Sequence, residues 1–127
     1  LHAGWRGVET RIVLEAMKQL KSQNSDPEKI LCFIGPHVLS NSFEVGSDVA
    51  ERLAQSSPHG KQYVLAHSDK NKRYVDLLSI VKDQFQEFGG LQENIHARLE
   101  NTFTNLDFFS FRREGKTGRL ITFVSLR

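Results

Sequence analysis

The chain has 127 residues, 39% of them hydrophobic and 25% charged, which is the size and composition of one globular domain able to bury a core. Seventeen basic against fifteen acidic residues leave a net charge of +2, no footprint for a nucleic acid, and no apolar run approaches membrane-spanning length. No basic stretch leads into a hydrophobic one at the start, so no signal peptide is expected, and the single cysteine, Cys32, excludes an internal disulfide and fits a reducing, cytoplasmic setting.

The opening stretch, Leu1-His2-Ala3-Gly4-Trp5-Arg6-Gly7, reads as a strand-to-helix corner. Its glycines let a ligand or another backbone come close, the first N–H groups of the following helix are free to face an anion, and Arg6 adds a fork of donors. His2 brings a ring nitrogen for a metal or a proton to the same place. A histidine at a strand end is more often a hydrogen-bonded structural residue, and Gly-x-x-Gly is common at ordinary turns.

Ile12, Val13, Ala16, Met17 and Leu20 fall on one helical stripe, with Met17 a core residue. After a polar loop closed by Pro27, the apolar run Ile30–Ile34 predicts a buried strand in which Cys32 is an inert thiol. His37, after Gly35-Pro36, is a second imidazole within reach of a metal, although a surface histidine after a turn is commoner. Phe43-Glu44-Val45-Gly46 leads into a short helix for which Asp48 and Glu51 have the form of a cap. Glu44 beside a metal would serve as a general acid or base, with a cap or salt bridge the alternative.

Tyr63–Ala66 predicts a strand ending at His67. The basic residues Lys70, Lys72 and Arg73 read as a solvated loop, and from Tyr74 a helix is expected with Leu77, Leu78, Val81, Phe85 and Phe88 inward and Gly89-Gly90 as its stop. Ile95, Ala97 and Leu99 alternate with His96, Arg98 and Glu100 as in a half-exposed strand. Phe103, Phe108, Phe109 and Phe111 make an aromatic cluster from which Arg112 and Arg113 emerge. Aromatics beside arginines suit a purine and a phosphate, whereas core phenylalanines and surface arginines are the commoner arrangement. Leu120–Leu126 reads as a last interior strand.

The element order implies an α+β fold, a mixed β-sheet layered with helices, and residues 1–127 read as a single domain. Four ordered stretches carry a family resemblance: His2-Ala3-Gly4-Trp5-Arg6-Gly7, Ile34-Gly35-Pro36, Phe43-Glu44-Val45-Gly46, and Phe108–Arg113 running into Thr117-Gly118-Arg119. The chain resembles the C-terminal part of the YfiH-like proteins, long labelled multicopper polyphenol oxidase or laccase-like and later linked to purine nucleoside metabolism. The resemblance implies their layered α+β sandwich and a zinc site of two histidines and a cysteine. His2 matches the last of those ligands, and the other two precede it in the family. Two departures stand out: His37 and Asn101 occupy places where many relatives have cysteine.

The function implied is a zinc-dependent purine nucleoside phosphorylase, with adenosine deamination as a further activity. Its small-molecule partners would be a purine nucleoside and phosphate. His2 would be the metal ligand, Glu44 the catalytic carboxylate, and Arg6 and Arg113 substrate contacts. Copper in a laccase-like polyphenol oxidase is the older alternative, peptidoglycan precursor editing a third, and a non-catalytic fragment or self-associating module a fourth. Neither nucleic acid nor membrane is an expected partner, and pairing with a second copy stays open.

Overall fold

The computed structural model describes residues 1–123. Its five α-helices among these residues are α1 (Trp5–Glu9), α2 (Ile12–Ser22), α3 (Ser47–Ala54), α4 (Leu77–Glu87) and α5 (Phe111–Glu114). The strands are β1 (Cys32–Ile34), β2 (Glu44–Gly46), β3 (Val64–Leu65), β4 (Lys72–Val75) and β5 (Ile95–Ala97). Strands β1 and β5 pair in parallel, and β2-β4-β3 form an antiparallel sheet with β4 in the middle. The expected α+β fold with mixed strand directions is present.

Helix α4 is the spine, because it packs into both hydrophobic clusters. On one side Val8, Phe43, Ala50, Leu53, Val75 and Ile80 join α1, α3 and the antiparallel sheet. On the other, Val13, Met17 and Phe85 join α2 to β1 and β5, and Val81 touches both clusters. The expected α4 stripe is therefore too narrow: its fully buried positions are Ile80, Asp83, Gln84 and Phe85. Packing between two layers leaves room on the helix for inward polar groups, whose burial is offset by hydrogen bonds, although Gln84 Oε1 has no partner among the described residues. Gln84 Nε2 donates to Val8 O at 2.8 Å and to Ser56 O at 3.1 Å, stitching α1 and the end of α3 to α4.

Both ends of α4 have a local cause. Asp76 caps the start, accepting from Ser79 N at 3.0 Å and from Ser79 Oγ at 2.8 Å. At the other end Gly89, at φ +98°, turns the chain left-handed while Gly89 N bonds Gln86 O and Gly90 N bonds Phe85 O, the paired pattern of a Schellman stop. The predicted stop at Gly89-Gly90 is where it was expected, but the predicted start at Tyr74 is not. Tyr74 belongs to β4, so the basic run read as a loop contains a central strand.

Other expectations shift for equally physical reasons. The helix after the opening corner is interrupted at Arg11, where φ is +61°, and Thr10 Oγ1 donates to the carbonyls of Arg6 and Gly7 at the end of α1. Helix α1 has only five residues, too few peptide dipoles to build a strong N-terminal field. Asp48 lies inside α3, whose N-cap is Gly46, and pairs with Arg52 one turn on. Strand β1 is buried on one side only: Cys32 is half-buried, with burial pushing its thiol upward, while Leu31 and Phe33 are 57% and 48% exposed. The aromatic cluster does not form, since Phe109 and Phe111 are exposed and none of the four rings stacks on another among the described residues. Of the expected last strand, Leu120 to Phe123 have no ladder partner among the described residues, and 124–126 lie outside them.

Candidate functional site

The antiparallel register builds a charged face. Glu44 lies opposite Tyr74, Val45 opposite Arg73 and Gly46 opposite Lys72. Side chains alternate along each strand, so Glu44, Tyr74 and Lys72 share one face while Val45 and Val75 turn to the core. Lys72 Nζ reaches diagonally to Glu44 Oε1 at 2.7 Å, and His67 Nε2 meets Glu44 Oε2 at 2.8 Å. The His67 ring is nearly buried against Tyr74, with centroids 4.8 Å apart.

His67 Nδ1 accepts from Asp69 N at 2.9 Å. That bond leaves the ring proton on Nε2, where it is donated to Glu44. The Lys72 ammonium, opposed by partial desolvation and assisted by His67, holds the Glu44 carboxyl below the usual carboxylate range. Glu44 is thus an ionised acceptor, suited to taking a hydrogen bond or a proton rather than supplying one. His67 was missed by sequence reasoning, which saw only a strand end there; Asp69 two residues on, whose N–H fixes the ring, is the sole local signal.

Helix α5 closes the cluster from above. Arg112 lies 4.6 Å over the Phe43 ring, and its Nη1 donates to Glu44 O at 2.7 Å. Arg113, next along the helix, points into the loop before it. Its Nη1 donates to Thr102 O at 2.9 Å, Phe103 O at 3.2 Å and Asn105 O at 3.2 Å, and its Nη2 donates to Phe108 O at 2.7 Å. Nε and Nη2 also contact Glu114, so every Arg113 donor group is committed to shaping this loop.

The opening corner is separate from this charged face but rests on the same core, since Ala3 and Trp5 pack against the cluster that contains Phe43. His2 is exposed, and its ring folds over Gly4: a Cβ at position 4 would stand 3.1 Å from His2 Nε2. Arg6 is exposed with its guanidinium 4.8 Å over the Trp5 ring. Among the described residues its side chain has no ion pair.

The remaining histidines have other engagements. His59 Nδ1 contacts buried Asp83 at 2.8 Å, His96 stacks on Phe33 with centroids 5.0 Å apart, and His37 Nδ1 bonds Gly35 O at 2.9 Å. His37 Nε2 is buried without a partner among the described residues. No group of three or more His, Cys, Asp or Glu side chains converges among the described residues, and Cys32 packs with Ile30 and Ile95 against the α2–α4 cluster. These donors do not by themselves complete a zinc or copper site.

No helix among the described residues is long and apolar enough to cross a membrane. The chain is 35% identical over 125 residues to a Staphylococcus epidermidis protein named purine nucleoside phosphorylase, covering 97% of this chain and 46% of that protein. It is 31% identical over 126 residues to the purine nucleoside phosphorylase YfiH of Escherichia coli, covering 98% and 49%. The fold matches the crystal structure of Bacillus licheniformis YfiH with TM-score 0.82 at 22% identity, over 90% of this chain and 43% of that one. YlmD of Geobacillus stearothermophilus matches with TM-score 0.82 at 23% identity, over the same shares. The chain thus spans about half the length of the curated relatives it matches. The family pattern described as multi-copper polyphenol oxidoreductase laccase matches residues 1–127, and the chain belongs to that family.

Proposed function

We propose that the chain carries part of the active site of a zinc-dependent purine nucleoside phosphorylase, as one domain forming the C-terminal portion of a YfiH-like protein. The names of the relatives support the substrate class. In the reaction a phosphate oxygen bonds to C1′ of the ribose as the glycosidic C–N bond breaks, and the departing purine takes up a proton. Zinc, when bound, would supply Lewis acidity. Adenosine deamination and a cytoplasmic location belong to the same reading.

The observation that carries the reading is that the Glu44 carboxylate is held ionised on a hydrogen-bonded face, while the His2 imidazole has no hydrogen bond among the described residues. His2 would be one ligand, and the others would come from the part of the relatives' length outside this chain. Arg6, stacked on Trp5 but with no ion pair among the described residues, would contact substrate at the corner. Glu44 would be the catalytic carboxylate in its ionised form, held in place by Lys72 and His67. Arg113 would contribute through the loop whose carbonyls it gathers. The copper alternative has less support here, because multi-copper sites need many converging ligands and the five histidines are dispersed.

Elemental analysis of the full-length protein and its His2→Ala variant, followed by assays with inosine, adenosine and phosphate, tests the reading. Stoichiometric zinc and nucleoside cleavage, both lost in His2→Ala, are expected. Unchanged metal content in the variant would remove His2 from the site, and absence of cleavage by the zinc-loaded protein would remove the activity.

A further inference from the structure

The two adjacent arginines of α5 have opposite fates, and the difference assigns them different work. Arg113 spends its donors on the carbonyls of residues 102–108 and on Glu114. A phosphate binding there would have to compete with the loop for every one of them. Arg112 spends only Nη1, on Glu44 O. Among the described residues its Nε and Nη2 have no acceptor, and the guanidinium is fixed from below by the Phe43 ring. A planar fork held by stacking, with one edge open, is the arrangement that captures an oxyanion at low ordering cost.

A second cation is linked to Arg112 through Glu44. One carboxylate, Glu44, is in contact with Lys72 through its side chain and with Arg112 through its carbonyl. Asp69 also acts on Lys72, so the attraction comes from open donors and not from a net charge: Lys72 Nζ uses one of its three on Glu44 and keeps the others. The single-turn α1 offers little dipole field at the corner, so it is a weaker place for a doubly charged ion.

We propose that Arg112, backed by Lys72, binds the tetrahedral oxyanion of the reaction, the phosphate group of either inorganic phosphate or the sugar 1-phosphate formed from it. This deepens the phosphorylase reading and rests on it for the identity of the oxyanion. Arg112 is a substrate-binding residue and Arg113 a loop-shaping one.

The test is calorimetric titration of the full-length protein with inorganic phosphate and, separately, with ribose 1-phosphate. It is run on wild type, Arg112→Ala, Arg112→Lys, Lys72→Met and, as control, Arg98→Ala, whose guanidinium pairs with Glu100 away from this face. Arg112→Ala should weaken binding of both ligands about tenfold or more, Arg112→Lys should recover part of it, and Lys72→Met should weaken it several-fold. Arg98→Ala should bind as wild type. In turnover assays the phosphate KM should rise in Arg112→Ala while the nucleoside KM stays within about twofold. Phosphate bound equally well by wild type and Arg112→Ala overturns the proposal even if inosine is cleaved. Arg112-dependent phosphate binding without nucleoside cleavage upholds the binding site and overturns the phosphorylase reading instead. Arg113→Ala serves as a second comparison: a lower melting temperature with unchanged phosphate affinity in the folded protein is expected, and a weakened affinity at unchanged stability would reverse the two roles.

Discussion

The two sides of α4 are built to different degrees of completion. On one side the antiparallel sheet has its inner face covered by α1 and α3, with Val8, Leu53, Val75 and Ile80 all fully buried. On the other, β1 and β5 form a parallel pair two strands wide among the described residues, with Leu31, Phe33 and Leu99 57%, 48% and 64% exposed. Parallel sheets ordinarily have both faces covered, and two strands alone are marginal. The charged face lies on the closed side, where a packed sheet can fix side chains to within hydrogen-bond tolerance.

The largest expected effect separates the two sides directly. Leu53→Ala should cost about 2–5 kcal/mol, while Phe33→Ala should cost about 1 kcal/mol or less because much of that ring already faces water. Urea denaturation of both variants measures the contrast, and equal losses would mean that the β1–β5 side is covered in solution. Next comes Gln84→Ala, which leaves Val8 O and Ser56 O without the amide that joins them. A loss of about 1–3 kcal/mol follows from orphaning Ser56 O, while Val8 O keeps its bond from Arg11 N at 3.0 Å. Gln84→Met fills the space but not the hydrogen bonds, so a similar loss in that variant identifies the bonds rather than the volume as the cause.

The same contrast explains what was readable beforehand. Helices α2 and α4 were legible because amphipathic spacing and a glycine stop are local signals, and both follow from backbone geometry alone. Strand β4 was hidden because Lys72 and Arg73 look like loop charges. In the fold Lys72 pairs with Gly46 in the ladder while its ammonium serves Glu44. Buried Asp83 and Gln84 were missed because polarity suggested solvent, and their partners lie 24 to 76 positions away. His2, Arg6 and Glu44 stood out in the sequence by residue type alone, but no periodicity could separate Arg112 from Arg113. They are neighbours on one turn, and only the loop wrapped around one of them tells them apart.

Asp83 gives a smaller effect with a pH signature. Burial works against its ionisation, yet His59 donates from the ring at 2.8 Å and from the backbone at 2.7 Å, and the carboxyl ends up below its ordinary 3.8. A depressed folded-state pKa means that its stabilisation is complete above about 3.8 and disappears as pH falls through the lower folded value. Asp83→Asn should lower stability at pH 7 by about 1–2 kcal/mol, since both hydrogen bonds from His59 lose their charged acceptor while the shape is kept. Melting temperatures of variant and wild type should approach each other below pH 3.8; a constant difference would place the cost in packing.

Glu44→Gln is the smallest stability change and the most informative about the charged face. Glu44 is partly exposed, so solvent screens its pairs with Lys72 and His67 and the loss at pH 7 is modest. Its pKa lies below the ordinary 4.5 chiefly because Lys72 donates to the ionised form. The contribution is therefore present above pH 4.5 and is lost as pH falls through the depressed value, so the gap between wild type and Glu44→Gln should be widest near neutrality and close on acidification. Nitrogen-detected NMR of the His67 ring gives an independent check: in wild type the Nε2 tautomer should dominate when the ring is neutral, fixed by Asp69 N on the other nitrogen. Loss of that preference in Glu44→Gln would show that the carboxylate, and not the backbone N–H, sets the tautomer. Retention would assign it to the loop, leaving Glu44 to be held by Lys72 and free to turn its charge toward a ligand.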